Sequence, residues 1–318
     1  MKRPRIAPAG QNATRVTISI LPLADNPDHI PRAVVGLTIE GDFVGEIEPH
    51  RHRKAQLIYV INGVITVEAQ SGIWTVPPHC AVWIPPGVTH LARSTGPMTI
   101  GNLYFEPGLA GSLMENCGIV FVQPLLRELL LRFIAGPQLY PEGESRQERL
   151  IAVLLDELRD APVEPLHLPM PHDHRLRRLA QMLIDTPSLR FTIEEWGARV
   201  GASKRTLSRL FQRETGMSFV RWKQQLHVGL ALQRLALGEA VTNIATDLGY
   251  ESPSSFIAMF RRMLGQTPVR YFSEAMSRPT ADTSREVICI GSEKLPSDKR
   301  GPLNTQETSD LPVKGTRS

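Results

Sequence analysis

Two groups of residues in this sequence have the types and the spacing to do chemistry. The first is Lys204, Arg205, Thr206, Ser208 and Arg209, a run of cations and hydroxyls directly after Ser203. An arginine can donate two parallel hydrogen bonds to the O6 and N7 edge of guanine, and hydroxyls reach bases or phosphates. A weaker counterpart lies further on: Ser254, Ser255 and Ala258, with Arg261 and Arg262 one turn later. The second group is His50 and His52, followed four residues later by Gln56, with His90 placed after Pro85-Pro86-Gly87. Alternate residues of a strand share a face, so His50 and His52 are expected to converge, with His90 arriving from a neighbouring strand. Three imidazoles in one place suit Zn, Fe, Cu or Ni.

The first group needs a helix to present it, and the surrounding sequence supplies two. The segment 193–216 is repeated at 241–265. Gly197 and Gly201 correspond to Ala245 and Gly249. After one extra residue, Ser203, Leu207, Phe211 and Gly216 correspond to Ser252, Phe256, Phe260 and Gly265 at a constant offset of 49. Each copy has a physical reading. Gly197 or Ala245 permits close approach, and Gly201 or Gly249 ends a helix in the left-handed region. Ser203 or Ser252 caps the next helix. Thr192 and Glu195 are spaced for a capping box, and Pro253 falls in a first turn, where its missing N–H costs nothing. Helix, glycine turn and capped second helix make a helix-turn-helix unit, whose second helix enters the DNA major groove. The first unit, with its basic face, is expected to read sequence, and the second to lean on phosphate and shape. Between them, 219–238 reads as one helix with Phe219, Trp222, Leu226, Leu230 and Gln233 on one side, fixing the spacing of the two units.

The second group needs strands. Short runs rich in Val, Ile, Tyr and Trp recur at 33–39, 57–61, 64–69, 73–76, 81–84 and 99–105. Asn62-Gly63 is expected as a two-residue hairpin turn, with Ser71-Gly72 and Pro85-Pro86-Gly87 punctuating the later runs. Many short strands with tight turns indicate a small barrel or sandwich. Helical spacing follows at 124–135 (Leu125, Leu129, Phe133) and 145–159 (Leu150, Val153, Leu154, Leu158). Pro162, Pro165, Pro169 and Pro171 mark an interdomain linker.

Composition sets limits. The 318 residues allow two domains of ordinary size. No run of eighteen apolar residues occurs, and no apolar stretch follows the basic N-terminus, so neither a membrane span nor a secretory signal is expected. Cys80, Cys117 and Cys289 show no metal-type or disulfide-type spacing, and a reduced cytoplasmic setting fits them. Net charge is uneven. Residues 1–171 hold 14 Lys+Arg against 17 Asp+Glu (−3), 172–276 hold 15 against 9 (+6), and 277–318 hold 7 against 6 (+1), which together give the overall +4. A basic segment beside an acidic one indicates that one domain meets a polyanion.

The segment 176–272 resembles the AraC/XylS family of bacterial regulators. The resemblance rests on Ser203-Lys204-Arg205-Thr206-Leu207-Ser208-Arg209-Leu210-Phe211, on Gly249-Tyr250-Glu251-Ser252-Pro253-Ser254-Ser255-Phe256, on Phe260-Arg261-Arg262 and on Thr267-Pro268. Trp196-Gly197 departs from the family's usual Leu-Ala. Residues 34–106 resemble the two motifs of the cupin barrel, with Gln56 where metal-binding cupins usually carry Glu. That exchange removes a negative charge, and no cofactor is expected. A divalent metal at the histidines is the less favoured reading beside a neutral effector pocket.

The resemblance implies an α+β, two-domain chain: an N-terminal cupin-like β-barrel followed by helices, then a C-terminal all-α domain with two helix-turn-helix units. The expected plan is an arm over 1–30, sensor and dimerisation helices over 31–160, a linker over 161–172, the DNA-binding domain over 173–276 and a disordered tail over 277–318. The expected function is sequence-specific transcriptional regulation, as activator or repressor, controlled by a small-molecule effector and with no catalytic residues. Expected partners are promoter DNA, the effector, RNA polymerase if the protein activates, and a second copy of the chain. A metal-dependent cupin enzyme with an accessory helical domain is the alternative. The doubled, basic helix-turn-helix separates the two, because an enzyme has no need of it.

Overall fold

The computed structural model describes residues 26–41, 45–141, 143 and 146–276. The expected tail at 277–318, with Cys289, and most of the expected arm lie outside these residues.

The N-terminal half is built from strands β1 (Val34–Gly41), β2 (Gly45–His50), β3 (Ala55–Asn62), β4 (Ile65–Ala69), β5 (Gly72–Val76), β6 (Cys80–Ile84), β7 (His90–Ser94) and β8 (Met98–Phe105). A short helix α1 (Pro107–Ala110) and strand β9 (Gly118–Phe121) lead into helices α2 (Pro124–Ile134) and α3 (Arg146–Asp160), then strands β10 (Val163–Glu164) and β11 (His167–Pro169). All pairings are antiparallel. One sheet runs β1-β8-β3-β6-β9-β10 and the other β11-β5-β4-β7-β2.

Period-two alternation assigns the two faces. Ile58, Val60, Val82 and Ile100 point between the sheets with Val67, Trp74 and Val76. Leu57, Tyr59, Trp83 and Leu103 point outward and are covered by Leu126, Leu130, Phe133, Ile151 and Leu154 of α2 and α3. Of the residues at helical spacing, Leu125 and Val153 are 53% and 42% exposed. Leu129, Phe133, Leu154 and Leu158 are buried, joined by Leu126 and Leu130 in α2 and by Ile151 and Leu155 in α3.

Two expectations change here. Asn62-Gly63 does not join a hairpin: β3 pairs with β6 and β8, whereas β4 pairs with β5 and β7. Gly63 does have positive φ (81°), but it carries the chain from one sheet to the other. The proline-rich segment 161–172 is stitched to the barrel. Its β10 pairs with β9 and its β11 with β5, and His167 stacks on Trp74 with ring centroids 4.5 Å apart. Proline is tolerated there because both strands are sheet edges.

The C-terminal half is helical: α4 (His174–Asp185), α5 (Ile193–Val200), α6 (Lys204–Thr215), α7 (Phe219–Ala236), α8 (Val241–Asp247), α9 (Pro253–Leu264) and α10 (Pro268–Met276). The local rules read from the sequence hold. Thr192 and Glu195 form the capping box of α5, and Gly201 ends that helix at φ 68°. Ser203 accepts from Thr206 N, and Ser252 from Ser255 N. Gly197 is a necessity of packing, because a Cβ there would meet the Ala202 carbonyl oxygen at 2.3 Å. In the second copy the turn is one residue longer, and Ala245 fits.

Helix α7 does more than separate the two units. Phe219, Trp222, Leu226, Val228 and Leu232 are buried, and the helix packs on β5 and β11 as well as on α6, α8 and α9. Trp222 Nε1 donates to Pro169 O (2.7 Å), Gln225 Nε2 to Pro165 O, and Gln233 Nε2 to Thr66 Oγ1 (2.9 Å).

Candidate functional site: a DNA-reading face and a polar barrel end

Helix α6 is amphipathic by construction. Leu207, Leu210 and Phe211 are buried against Trp196, Phe219 and Trp222, which leaves the opposite face to solvent. Lys204, Arg205, Ser208 and Arg209 are exposed and Thr206 is partly exposed. Their availability differs. Lys204 Nζ is paired with Glu194 Oε1 at 2.7 Å, and Thr206 Oγ1 lies 3.0 Å from Ser203 Oγ within the cap. Arg205 and Arg209, one turn apart, have no ion-pair or hydrogen-bond partner for their guanidinium groups among the described residues.

In α9, Phe256, Met259, Phe260 and Met263 are buried, while Ser254, Ser255, Ala258, Arg261 and Arg262 are exposed. Ser255 is committed locally: its hydroxyl donates to Ser252 O (2.7 Å) and, as half of a capping box, its oxygen accepts from Ser252 N (3.4 Å).

A side chain the sequence reading missed joins the two units. His227 of α7 is buried, with Nε2 3.1 Å from Pro187 O and Nδ1 3.0 Å from Tyr250 Oη. A carbonyl can only accept, so Nε2 carries the proton and Nδ1 accepts from the tyrosine. Burial, helped by the charge of Lys223, pushes this imidazole down to about 4. A histidine amid the apolar positions of a long helix was the available signal.

At one end of the barrel the histidines come together. His50, the last residue of β2, lies opposite His90, the first of β7, after a bulge. His52 converges with them from the loop beyond β2, so the chain turns inward there and strand alternation is not the cause. Ring centroids are 4.3 Å apart for His50–His90, 4.9 Å for His50–His52 and 5.6 Å for His52–His90. Gln56 enters from β3 and is 5% exposed; His52 is 9% and His90 2% exposed. Burial pushes His52 and His90 down to about 4 and lowers His50 as well, which keeps the rings neutral at pH 7.

Asn102 and Tyr104, also absent from the sequence reading, complete this end. The Gln56 amide donates to Asn102 Oδ1 (2.9 Å) and to Tyr104 Oη (3.1 Å). Their alternation with Leu103 and Phe105 was the signal that could have found them. Beside the pocket, residues 26–32 are fastened to the barrel. Asp28 accepts from the backbone N–H of Arg53 and Lys54, and the buried Lys54 ammonium donates to Ile30 O and Arg32 O.

A DNA-facing helical half fused to a β-barrel with a polar interior end defines a ligand-controlled DNA-binding protein. Family models agree with both halves: "Helix-turn-helix domain" matches residues 196–274 and "AraC-like ligand binding domain" residues 37–186. The HTH-type transcriptional regulator NimR of Escherichia coli (strain K12) is 38% identical over 248 residues, covering 78% of this chain and 90% of that protein. The arabinose operon regulatory protein of the same organism is 30% identical over 158 residues, 47% of this chain and 51% of that one. Among solved structures, ToxT from Vibrio cholerae is similar with a TM-score of 0.33 and 7% identity, covering 76% of this chain and 98% of that one. The chain belongs to the AraC-type family of HTH-type transcriptional regulators and carries that family's ligand-binding domain.

Among the described residues, no helix is long and apolar enough to cross a membrane.

Proposed function

We propose that this regulator reads its operator chiefly through α6, with Arg205 and Arg209 donating to base edges and Lys204, Thr206 and Ser208 supporting them. The observation that carries the reading is the pair of exposed guanidinium groups, without partners among the described residues, on the first turns of a capped helix. In this reading Ser254, Ser255, Ala258, Arg261 and Arg262 of α9 hold the adjacent groove segment mainly through phosphate and shape. A rigid α7, bolted through His227 to both units, sets the spacing between two major-groove segments about 34–36 Å apart.

The effector enters the polar end of the barrel, at His50, His52, Gln56 and His90. The exposed Leu125 and Val153 on α2 and α3 supply apolar surface for a second copy of the chain. If the protein activates, its further partner is RNA polymerase, and its place of action is the cytoplasm. No catalysis is assigned. The enzyme reading would have to explain two capped, basic helix-turn-helix units, and the regulator reading explains them directly. The test is a gel-shift titration on the intergenic DNA flanking the gene, with Arg205→Ala and Arg209→Ala beside the unaltered protein. Loss of specific binding in both variants supports the reading; unchanged affinity overturns it.

A further inference from the structure

Helix α7 and the second sheet do not close on each other completely. Thr66, Thr75 and Arg93 alternate with the inward-pointing Val67, Trp74 and Ala92, so they face away from the barrel interior and towards α7. Between that outer face and α7 lies a cavity of about 220 Å³, partly open to solvent. Ile73 and Leu168 on the sheet side and Leu226 and Leu230 on α7 make its walls mainly apolar. Two buried polar groups on these walls are unspent. Thr75 is 6% exposed, and its hydroxyl has no hydrogen-bond partner among the described residues. Gln225 is 4% exposed, and its Nε2 donates to Pro165 O. A carbonyl oxygen only accepts, so the amide is oriented by that bond, and Gln225 Oε1 is left without a partner among the described residues. Gly229 keeps the space open, since a Cβ there would stand 2.9 Å from Thr75 Oγ1. A glycine inside a helix weakens it, and the close approach of the α7 backbone to Thr75 accounts for this one.

We propose that this cavity is a second small-molecule site, distinct from the histidine end of the barrel, which takes a small, uncharged ring compound and couples it to the DNA-binding half through α7. Size sets the first limit. Voids larger than a water molecule are few in protein interiors, and an apolar cavity of about 150 Å³ holds one benzene ring. The space here therefore fits a ring with one substituent, about eight to ten non-hydrogen atoms. Charge sets the second. The charged lining residues Glu68 and Arg93 are paired with each other, and Arg93 also holds Glu46. An ion would lose its hydration against apolar walls without gaining a counter-charge, whereas the Thr75 hydroxyl and Gln225 Oε1 suit a neutral group that both accepts and donates. The position supplies the consequence. Such a compound touches β5 on one side and α7 on the other, and α7 is the helix on which α6, α8 and α9 pack.

The test uses the full chain and benzamide, which has a ring, a carbonyl to accept from Thr75 and an N–H to donate to Gln225. Calorimetry should show saturable binding at about millimolar affinity or tighter. Benzoate, the charged counterpart of the same shape, should bind at least about ten-fold more weakly. Thr75→Val keeps the branched side chain on the strand and should weaken benzamide about 3- to 10-fold. Gly229→Ala places a methyl group in the gap and should weaken it at least about ten-fold, with circular dichroism unchanged in both variants. On the intergenic DNA flanking the gene, saturating benzamide should change the affinity of the unaltered chain at least about five-fold. No saturable binding, benzoate bound as tightly as benzamide, or unchanged benzamide affinity in both variants would overturn the site. Benzamide binding that the two variants weaken, with DNA affinity unmoved, would support the site and overturn its coupling to α7.

Discussion

Replacing Arg205 and Arg209 by alanine, singly and together, tests the assignment of α6 most directly. Each bidentate arginine–guanine contact contributes roughly 1–3 kcal/mol of discrimination, so each single variant should lose about 5- to 150-fold in operator affinity. The two residues sit four apart on one helix face and so reach different base pairs. Their losses should nearly add, giving roughly 25-fold to 2 × 10⁴-fold in the double variant. The structure isolates this effect from folding. Both side chains are exposed and have no partner among the described residues, and the cap at Ser203 and the buried Leu207, Leu210 and Phe211 are untouched. Thermal stability should therefore stay within about 0.5 kcal/mol. Gel-shift or anisotropy titrations on operator and on scrambled DNA, repeated over a range of salt, separate two modes of contact. A base-reading arginine loses operator affinity with little change on scrambled DNA. A phosphate contact weakens both and lowers the salt slope by about one. Operator affinity equal to that of the unaltered protein in the double variant would refute the placement of α6 in the groove. An equal loss on both DNAs would refute base reading by these two residues.

Three further outcomes follow from the packing and the buried groups. Gly197→Val drives a side chain into the Ala202 carbonyl and should cost about 1–3 kcal/mol, seen as a lower urea midpoint, whereas a valine at Ala258, on the exposed face of α9, should be nearly neutral. His227 is held neutral with its imidazole down to about 4, below the ordinary 6.5, so protons bind the unfolded chain first as pH falls from 6.5 towards 4. Its contribution is present above pH 6.5 and should shrink by about 2 kcal/mol at pH 5, and His227→Gln should flatten that part of the urea-unfolding pH profile. Burial raises the Cys80 thiol far above its ordinary value, with Tyr271 against it, while Cys117 is only partly buried and is pushed up to about 11. Mass spectrometry after maleimide treatment at pH 7 should find Cys80 unmodified until the protein unfolds, and rapid labelling of Cys80 in the folded protein would contradict its place between the sheets.

Much of the DNA-binding half was legible in the sequence because its determinants are local. A glycine at φ 68°, a serine cap, a capping box and apolar residues four apart each act within one or two helical turns. Thr192, Gly201, Ser203 and Pro253 could therefore be assigned from spacing alone. The strands were legible in outline for the same reason, since β-branched alternation is a property of short segments. What the sequence could not show is which strands pair. Asn62-Gly63 has the chemistry of a hairpin turn, yet β3 and β4 belong to different sheets, because pairing is decided by how two sheets close around Val60, Val67 and Trp74. The same holds for the proline-rich segment at 161–172, which local rules read as free chain and which sheet edges capture.

His50, His52, Gln56 and His90 were recognisable as residue types, but their close approach, their burial and their neighbours Asn102 and Tyr104 exist only once β2, β3, β7 and β8 converge. The basic residues of α6 show the division most clearly. The sequence determined which residues face away from the core. Only the tertiary structure decided that Lys204 is held by Glu194 while Arg205 and Arg209 have no partner among the described residues, because an ion pair between helices depends on where the Gly201 turn sets α5 against α6.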